Sequence, residues 1–315
     1  VRRSERIDRE RGVAMVLVLG LVALIAAWAI AAASEDQVLL RRAENQQAAA
    51  KAMLGAESGL ELARIVLRED RKKGDNDHLG EEWASNMPPM PVDDGAVAGS
   101  IVDANRFYNL NDLVKDGSVQ AEELLIVQRL LGAIDLPGEM AAALADWMDA
   151  DNLPLAAGAE DASYLERNYR VKNAPLDALE ELRLVKGFDA AAVEKLSRVA
   201  VVAPSNGKTR INLNTAPREV LMAVLGISGA EADGLIAQRE GSPFTAATLP
   251  TGPTAAVWAT APNVARISAA SDRFLVRAQG RFGRAVWGEK MLVQRNAQGE
   301  LQILARQRMG WTEQL

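Results

Sequence analysis

The chain has no cysteine and a single histidine, His78, among its 315 residues. The first absence excludes a disulfide framework, a thiolate metal site and a cysteine nucleophile. The second leaves His78 without a partner to complete a zinc or catalytic site, and its polar surroundings read as a solvated loop. No glycine-rich phosphate loop ending in Lys-Ser/Thr occurs, and nothing supports the cleft that paired carboxylates need around a sugar. The sequence therefore indicates no enzyme. Aromatic residues make up only 4% of the chain. Acids outnumber bases to give a net charge of -6, which argues against the basic face of a nucleic-acid-binding protein.

What the chain does have is a charged leader followed by a long apolar run. Arg2, Arg3, Arg6, Arg9 and Arg11 precede Gly12, and residues 13–33 are twenty-one positions without a charge. As a helix at about 1.5 Å per residue the run is roughly 31 Å long, which matches a hydrocarbon core of about 30 Å. The basic flank leaves the N-terminus in the cytoplasm and sends the rest across the membrane. A removable secretory signal has a shorter core, with its small-residue cleavage site after that core. Here Gly12 comes before the core, so a cut after it would leave Val13 at the head of an intact membrane helix. An uncleaved signal anchor is the alternative. The arrangement resembles a type IV prepilin leader. Most pilin-like proteins have a glutamate at the fifth mature position, which is Leu17 here. The resemblance implies that this carboxylate neutralises the terminal amine of the subunit above, so Leu17 points to a filament tip, where no subunit lies above.

The helical pattern continues past residue 33 to about Arg68, a rod of roughly 84 Å at about 1.5 Å per residue. Its outer half is expected to pack a face containing Leu62 and Ile65 on a globular domain, and Lys72, Lys73 and Gly74 supply a stop. Residues 75–94 read as a loop rich in aspartate and proline. Residues 96–102 and 106–110 then read as a hairpin turning at 103–105. From about 111 to 263 the patterns are helical, at 122–131, 138–148, 176–182, 190–196, 218–225 and 230–239. Strand patterns return at 265–269, 273–279, 286–294 and 301–306, with turns at Gly280, Gly283, Gly288 and Gly299. A helical block is thus inserted between strands of one sheet. The expected fold is α+β and pilin-like, a long N-terminal helix on a small antiparallel sheet. Its divisions are a leader 1–12, a membrane segment 13–33, a first pilin-like part 34–111, an inserted all-α domain 112–263 and a second pilin-like part 264–315.

Inside the insertion, Asn173, Leu182, Val185, Gly187-Phe188 and Leu196 recur thirty-nine residues later as Asn212, Leu221, Val224, Gly226-Ile227 and Leu235. Each unit resembles a helix-hairpin-helix element. Such elements offer backbone N–H groups to a DNA phosphate when accompanied by basic residues. Between 205 and 240, however, Lys208, Arg210, Arg218 and Arg239 are cancelled by Glu219, Glu231, Asp233 and Glu240. The motif therefore reads as a packing unit, with Asn212 and Asn214 as turn and cap residues; duplex DNA binding is the alternative function.

The densest chemical signal is Asp146-Trp-Met-Asp149-Ala-Asp151 followed by Gly158-Ala-Glu160-Asp161, a loop of five carboxylates without a basic residue. Clustered acids with free carbonyls suit a hard cation such as Ca²⁺, although the spacing is not that of an EF-hand. The other reading is an acidic solvated loop. Taken together, the leader, Leu17, the split sheet, the inserted block and this acidic segment resemble the K-type minor pseudopilins of bacterial type II secretion. The resemblance implies an inner-membrane protein with its globular part in the periplasm, cut by the prepilin peptidase after Gly12 and N-methylated at Val13. It also implies a place at the pseudopilus tip with I- and J-type minor pseudopilins above the major pseudopilin. It further implies calcium in the insertion, carried over to Asp149, Asp151, Glu160 and Asp161.

Overall fold

The computed structural model describes residues 2–85, 87–205, 207–249 and 264–310; the expected end of the insertion, residue 263, lies outside them. In chain order the elements are helix α1 (Arg2–Lys73), β1 (Met87–Val92), β2 (Gly95–Asp103), β3 (Tyr108–Asn109), β4 (Val114–Lys115) and β5 (Ser118–Val119). Then come helices α2 (Ala121–Ala133), α3 (Met140–Met148) and α4 (Ala190–Leu196), β6 (Ala200–Val201), β7 (Ile211–Asn212), and helices α5 (Arg218–Leu225) and α6 (Gly229–Gly241). Strands β8 (Ile267–Ser268), β9 (Arg273–Phe282), β10 (Ala285–Arg295) and β11 (Leu301–Arg308) follow. Five strands form one antiparallel sheet in the order β1-β2-β9-β10-β11. The fold is α+β, with a long helix on an antiparallel sheet and a mainly helical region inserted between β2 and β9.

α1 is an unbroken rod whose first half carries a strip of exposed apolar residues, Leu17, Leu21, Leu24 and Trp28 among them. It docks on the sheet through Ala52, Ala56, Leu60, Ala63 and Leu67, spaced at i, i+4 and i+3. The expected docking face was turned: Ile65 is half exposed and Leu62 only partly covered. Small residues decide the matter. A Cβ at Gly280 would lie 2.1 Å from the Ala52 carbonyl oxygen, and one at Gly59 would lie 2.9 Å from the Ala278 Cβ. The helix backbone therefore rests almost directly on β9. On the other side of this contact Trp83, Phe274, Val276, Met291 and Val293 close the core.

Two strand expectations need correction. The partner of β2 in its hairpin is β1, inside the segment read as a loop, and not residues 106–110. Prolines 88, 89 and 91 are tolerated because β1 lies at the sheet edge, where missing donors leave no neighbour unpaired. Tyr108–Asn109 instead pairs in parallel with β6, and β8 pairs with β7 rather than joining the sheet. Gly283 and Gly299 do turn, with φ of 55° and 81°, whereas Gly280 and Gly288 lie within strands.

The inserted block has its own core, drawn from side chains between Tyr108 and Ala269. The second helix-hairpin-helix unit forms from α5 and α6, whereas in the first a 3₁₀ helix (Leu179–Leu184) stands in place of the helix expected at 176–182 and leads into α4. Each unit has a positive-φ glycine at its turn, Gly187 at 95° and Gly226 at 67°. A second repeat, absent from the sequence reading, pairs Tyr108-Asn-Leu-Asn111 with Ile211-Asn-Leu-Asn214. In each, the last asparagine clamps a distant backbone. Asn111 accepts from Leu176 N at 2.8 Å and donates to its carbonyl, and Asn214 does the same with Phe244.

A buried polar seam joins the block to the pilin-like part. Arg295, at the end of β10, binds Asp70 of α1 at 2.9 Å, the Ser271 carbonyl at 3.2 Å, and Asp77. Asp103 receives Thr215 Oγ1 at 2.5 Å and Asn212 Nδ2 at 3.0 Å, and Asn212 also donates to the Asp77 carbonyl. Within the block, Arg266 is locked between Asp112 at 2.8 Å and Glu123 at 2.6 Å.

Candidate metal centre

The acidic segment begins where α3 ends. Met140–Met148 is buried throughout, and Asp149 caps its C-terminus, its N–H donating to the Ala145 carbonyl at 2.9 Å. Asp146, one turn earlier, is buried and folds the loop around itself by accepting from Leu155 N at 3.2 Å and Ala159 N at 2.7 Å. Gly158 is required there, since a Cβ would lie 1.9 Å from Asp146 Oδ2. Trp147, Tyr164 and Tyr169 brace the far side, with ring centroids 5.4 to 6.1 Å apart, and Trp147 Nε1 donates to Glu181 at 2.9 Å. These aromatics hold the loop in a chain without cysteine, and the sequence reading missed that role.

The folded loop brings Asp149, Asp151 and Glu160 together, with one carboxylate oxygen of each lying within 4.8 Å of the others. Asp149 and Glu160 are buried and Asp151 is exposed. Asp149 Oδ1 and both oxygens of Glu160 are shut from solvent without a hydrogen-bond donor, as is Asn173 Oδ1. Asn173 reaches the same loop, its amide nitrogen lying 3.4 Å from the Asp151 carbonyl. Burial, reinforced by neighbouring carboxylates, raises Glu160 to about 7 and Asp149 to about 6. The negative end of α3 adds to the same potential. Buried acceptors without donors, an all-oxygen set and convergent negative charge fit a hard cation. Asp161 stands apart: its Oδ1 accepts from Val171 N at 3.1 Å, and Arg170 lies 3.9 Å from Oδ2.

A second acidic group, Asp70, Asp77 and Glu81, has similar spacing, but Arg295 lies against Asp70 and Asp77 and supplies the charge. The contrast sharpens the first site, which has no cation of its own among the described residues. His78, expected in a solvated loop, is half buried, and its Nδ1 accepts from Gly80 N at 3.1 Å. In the helix-hairpin-helix units, Arg218 is matched by Asp233 at 2.7 Å and Arg239 donates to the Leu213 and Ala216 carbonyls.

Family models described as "Type II secretion system (T2SS), protein K" match residues 106–205 and 211–273. Type II secretion system protein K of Pseudomonas aeruginosa is 34% identical over 244 residues, covering 73% of this chain and 72% of the relative. The chain belongs to the type II secretion system protein K family. The protein of that name from Pectobacterium carotovorum is 28% identical over 326 residues, covering 96% of this chain and 98% of its own. The protein K fold is also seen in the crystal structure of the GspK-GspI-GspJ complex from enterotoxigenic Escherichia coli. That match has a TM-score of 0.68 and 24% identity, covering 85% of this chain and 99% of the solved one. The protein K family is a pseudopilin component of a secretion apparatus, and α1 is consistent with its inner-membrane anchor.

Proposed function

We propose that this chain is the minor pseudopilin at the tip of a type II secretion pseudopilus, where it assembles with I- and J-type minor pseudopilins above the major pseudopilin to support export across the outer membrane. The observation that carries this reading is the division of α1. Its first half offers exposed apolar side chains to a bilayer or to neighbouring helices, and its second half holds a sheet with a bulky block attached. A block of that size suits a position with no subunit stacked above, and Leu17 in place of an acid agrees. Support also comes from the GspI and GspJ chains that accompany the relative of known structure. In this reading Gly12–Val13 is the processing bond, the N-terminus is cytoplasmic until assembly, and the globular part is periplasmic. Asp149, Asp151 and Glu160 hold a structural Ca²⁺, with Asp161 positioning the loop from outside.

The test is co-purification of the full chain with tagged I- and J-type proteins from detergent-solubilised membranes. A stable complex of all three is the expected result. Recovery of the I–J pair without this chain, at matched expression, would refute the assignment.

A further inference from the structure

Between the inserted block and the outer face of the sheet lies a polar cleft of about 640 Å³. Five cationic side chains line it, Arg71, Lys208, Arg210, Arg273 and Arg295, against one carboxylate, Asp272. That surplus is local in a chain whose net charge is -6. Three of the cations are already matched: Arg295 by Asp70 and Asp77, Arg71 by Asp75, and Lys208 by Glu122. Arg210 and Arg273 have no carboxylate partner among the described residues.

Arg273 alternates on β9 with Phe274, which is buried against α1, so its side chain leaves the opposite face of the sheet and enters the cleft. Its Nε and Nη1 are closed off from solvent and have no acceptor. An ionised guanidinium held this way is incompletely solvated, and an anion at its open nitrogen gains a charge-assisted hydrogen bond in a site where water competes poorly. Arg210 stands exposed at the same rim.

The cleft does not end there. A second space of about 810 Å³ shares Pro204, Ser205, Gly207 and Leu304 with the first and continues past Ala305. β11 is bulged at Leu304, which packs with Leu292, and Leu292 is the register partner of Ala305, so both residues lie on the face of the sheet that the block covers and the joined space continues across that face. The volume of the combined space suits a chain segment better than a small ion.

We propose that this cleft binds an extended peptide carrying carboxylates, one acidic side chain seated between Arg210 and Arg273 and the backbone continuing past Pro204 and Leu304 into the adjoining space. The proposal is independent of the tip assignment and of the metal site. It is tested with the full chain in detergent at fixed calcium, using a fluorescent oligoglutamate peptide and its oligoglutamine counterpart, read by anisotropy. Oligoglutamate is expected to bind and oligoglutamine not to. Arg273→Gln and Arg210→Gln are each expected to weaken binding by about tenfold, the loss of one charge-assisted contact. Failure of oligoglutamate to bind, equal binding by oligoglutamine, or affinity unchanged in both variants would overturn the proposal. The last result would move the binding to the arginines that precede Gly12. If Arg273→Gln does not fold, Arg210→Gln, at an exposed position, decides alone.

Discussion

Replacing Asp149 with Asn and Glu160 with Gln removes two buried charges while keeping the shape of the loop. With no metal bound, both groups hold their protons more tightly in the folded chain, with Asp149 raised to about 6 and Glu160 to about 7. Unfolded, they titrate at about 3.9 and 4.3. The sign follows from linkage: the stability they contribute is fully present below about pH 4 and is lost as pH rises through 6 and 7. Between pH 5 and pH 8 Asp149 loses about one unit of its shift and Glu160 about two, and one unit is worth about 1.4 kcal/mol, so the pair loses about 4 kcal/mol of stability over that range. At about 1.5 °C per kcal/mol for a chain of 315 residues, the wild-type melting temperature in EDTA should fall by about 6 °C more than that of the double variant between pH 5 and pH 8. Subtracting the variant removes the contribution of the other buried acids. Calcium at about 100 times its dissociation constant should then add roughly 2.7 kcal/mol to the wild type at pH 8 and nothing to the variant. Parallel melting curves for the two proteins across pH, with the same calcium response, would refute both the electrostatic argument and the site.

Other substitutions separate the parts of the structure. Asp161→Asn keeps the acceptor for Val171 N and lies outside the cluster, so its calcium-dependent melt should match wild type; a lost response would make Asp161 a ligand. Gly158→Ala drives a Cβ into Asp146 Oδ2 and should cost about 1 to 3 kcal/mol in denaturant titration, together with the calcium response. Arg295→Ala leaves Asp70 and Asp77 buried without their cation and should destabilise by about 3 to 5 kcal/mol by the same measurement. Gly280→Ala places a Cβ against the Ala52 carbonyl, and hydrogen exchange in detergent should show lost protection around residues 52–67 of α1 while the inserted block stays protected.

Local periodicity made the helices legible, and strand patterns in β2, β9, β10 and β11 did the same for four of the five strands of the sheet. The acidic loop could be read because its carboxylates are close in sequence. What the sequence hid depends on distance along the chain or on a neighbour. β1 looks like a loop because proline usually excludes a strand, and only its edge position reverses that. The docking face of α1 was misjudged because leucine and isoleucine outrank alanine in apolar area, whereas the alanines and glycines are what allow the helix to lie against β9. Asp77 and Arg295 are 218 residues apart, and nothing around either announces the other. The hydrogen bond from Val171 N to Asp161 was equally hidden, since nothing in the sequence around either residue announces it.

The split of the sheet also has a kinetic consequence. Asp103 at the end of β2 faces Phe274 at the start of β9, so the central pairing of the sheet joins residues on either side of the whole inserted block. Closing so long a loop is unfavourable until its interior has condensed, and strand pairs distant in sequence form slowly. The block has its own core and threads first from the N-terminal side, so it should acquire protected amides before β9 and β10 do in a pulsed hydrogen-exchange experiment. In the interval β2 waits unpaired on its inner edge, which makes the partly folded chain, rather than the finished subunit, the form most exposed to aggregation and proteolysis.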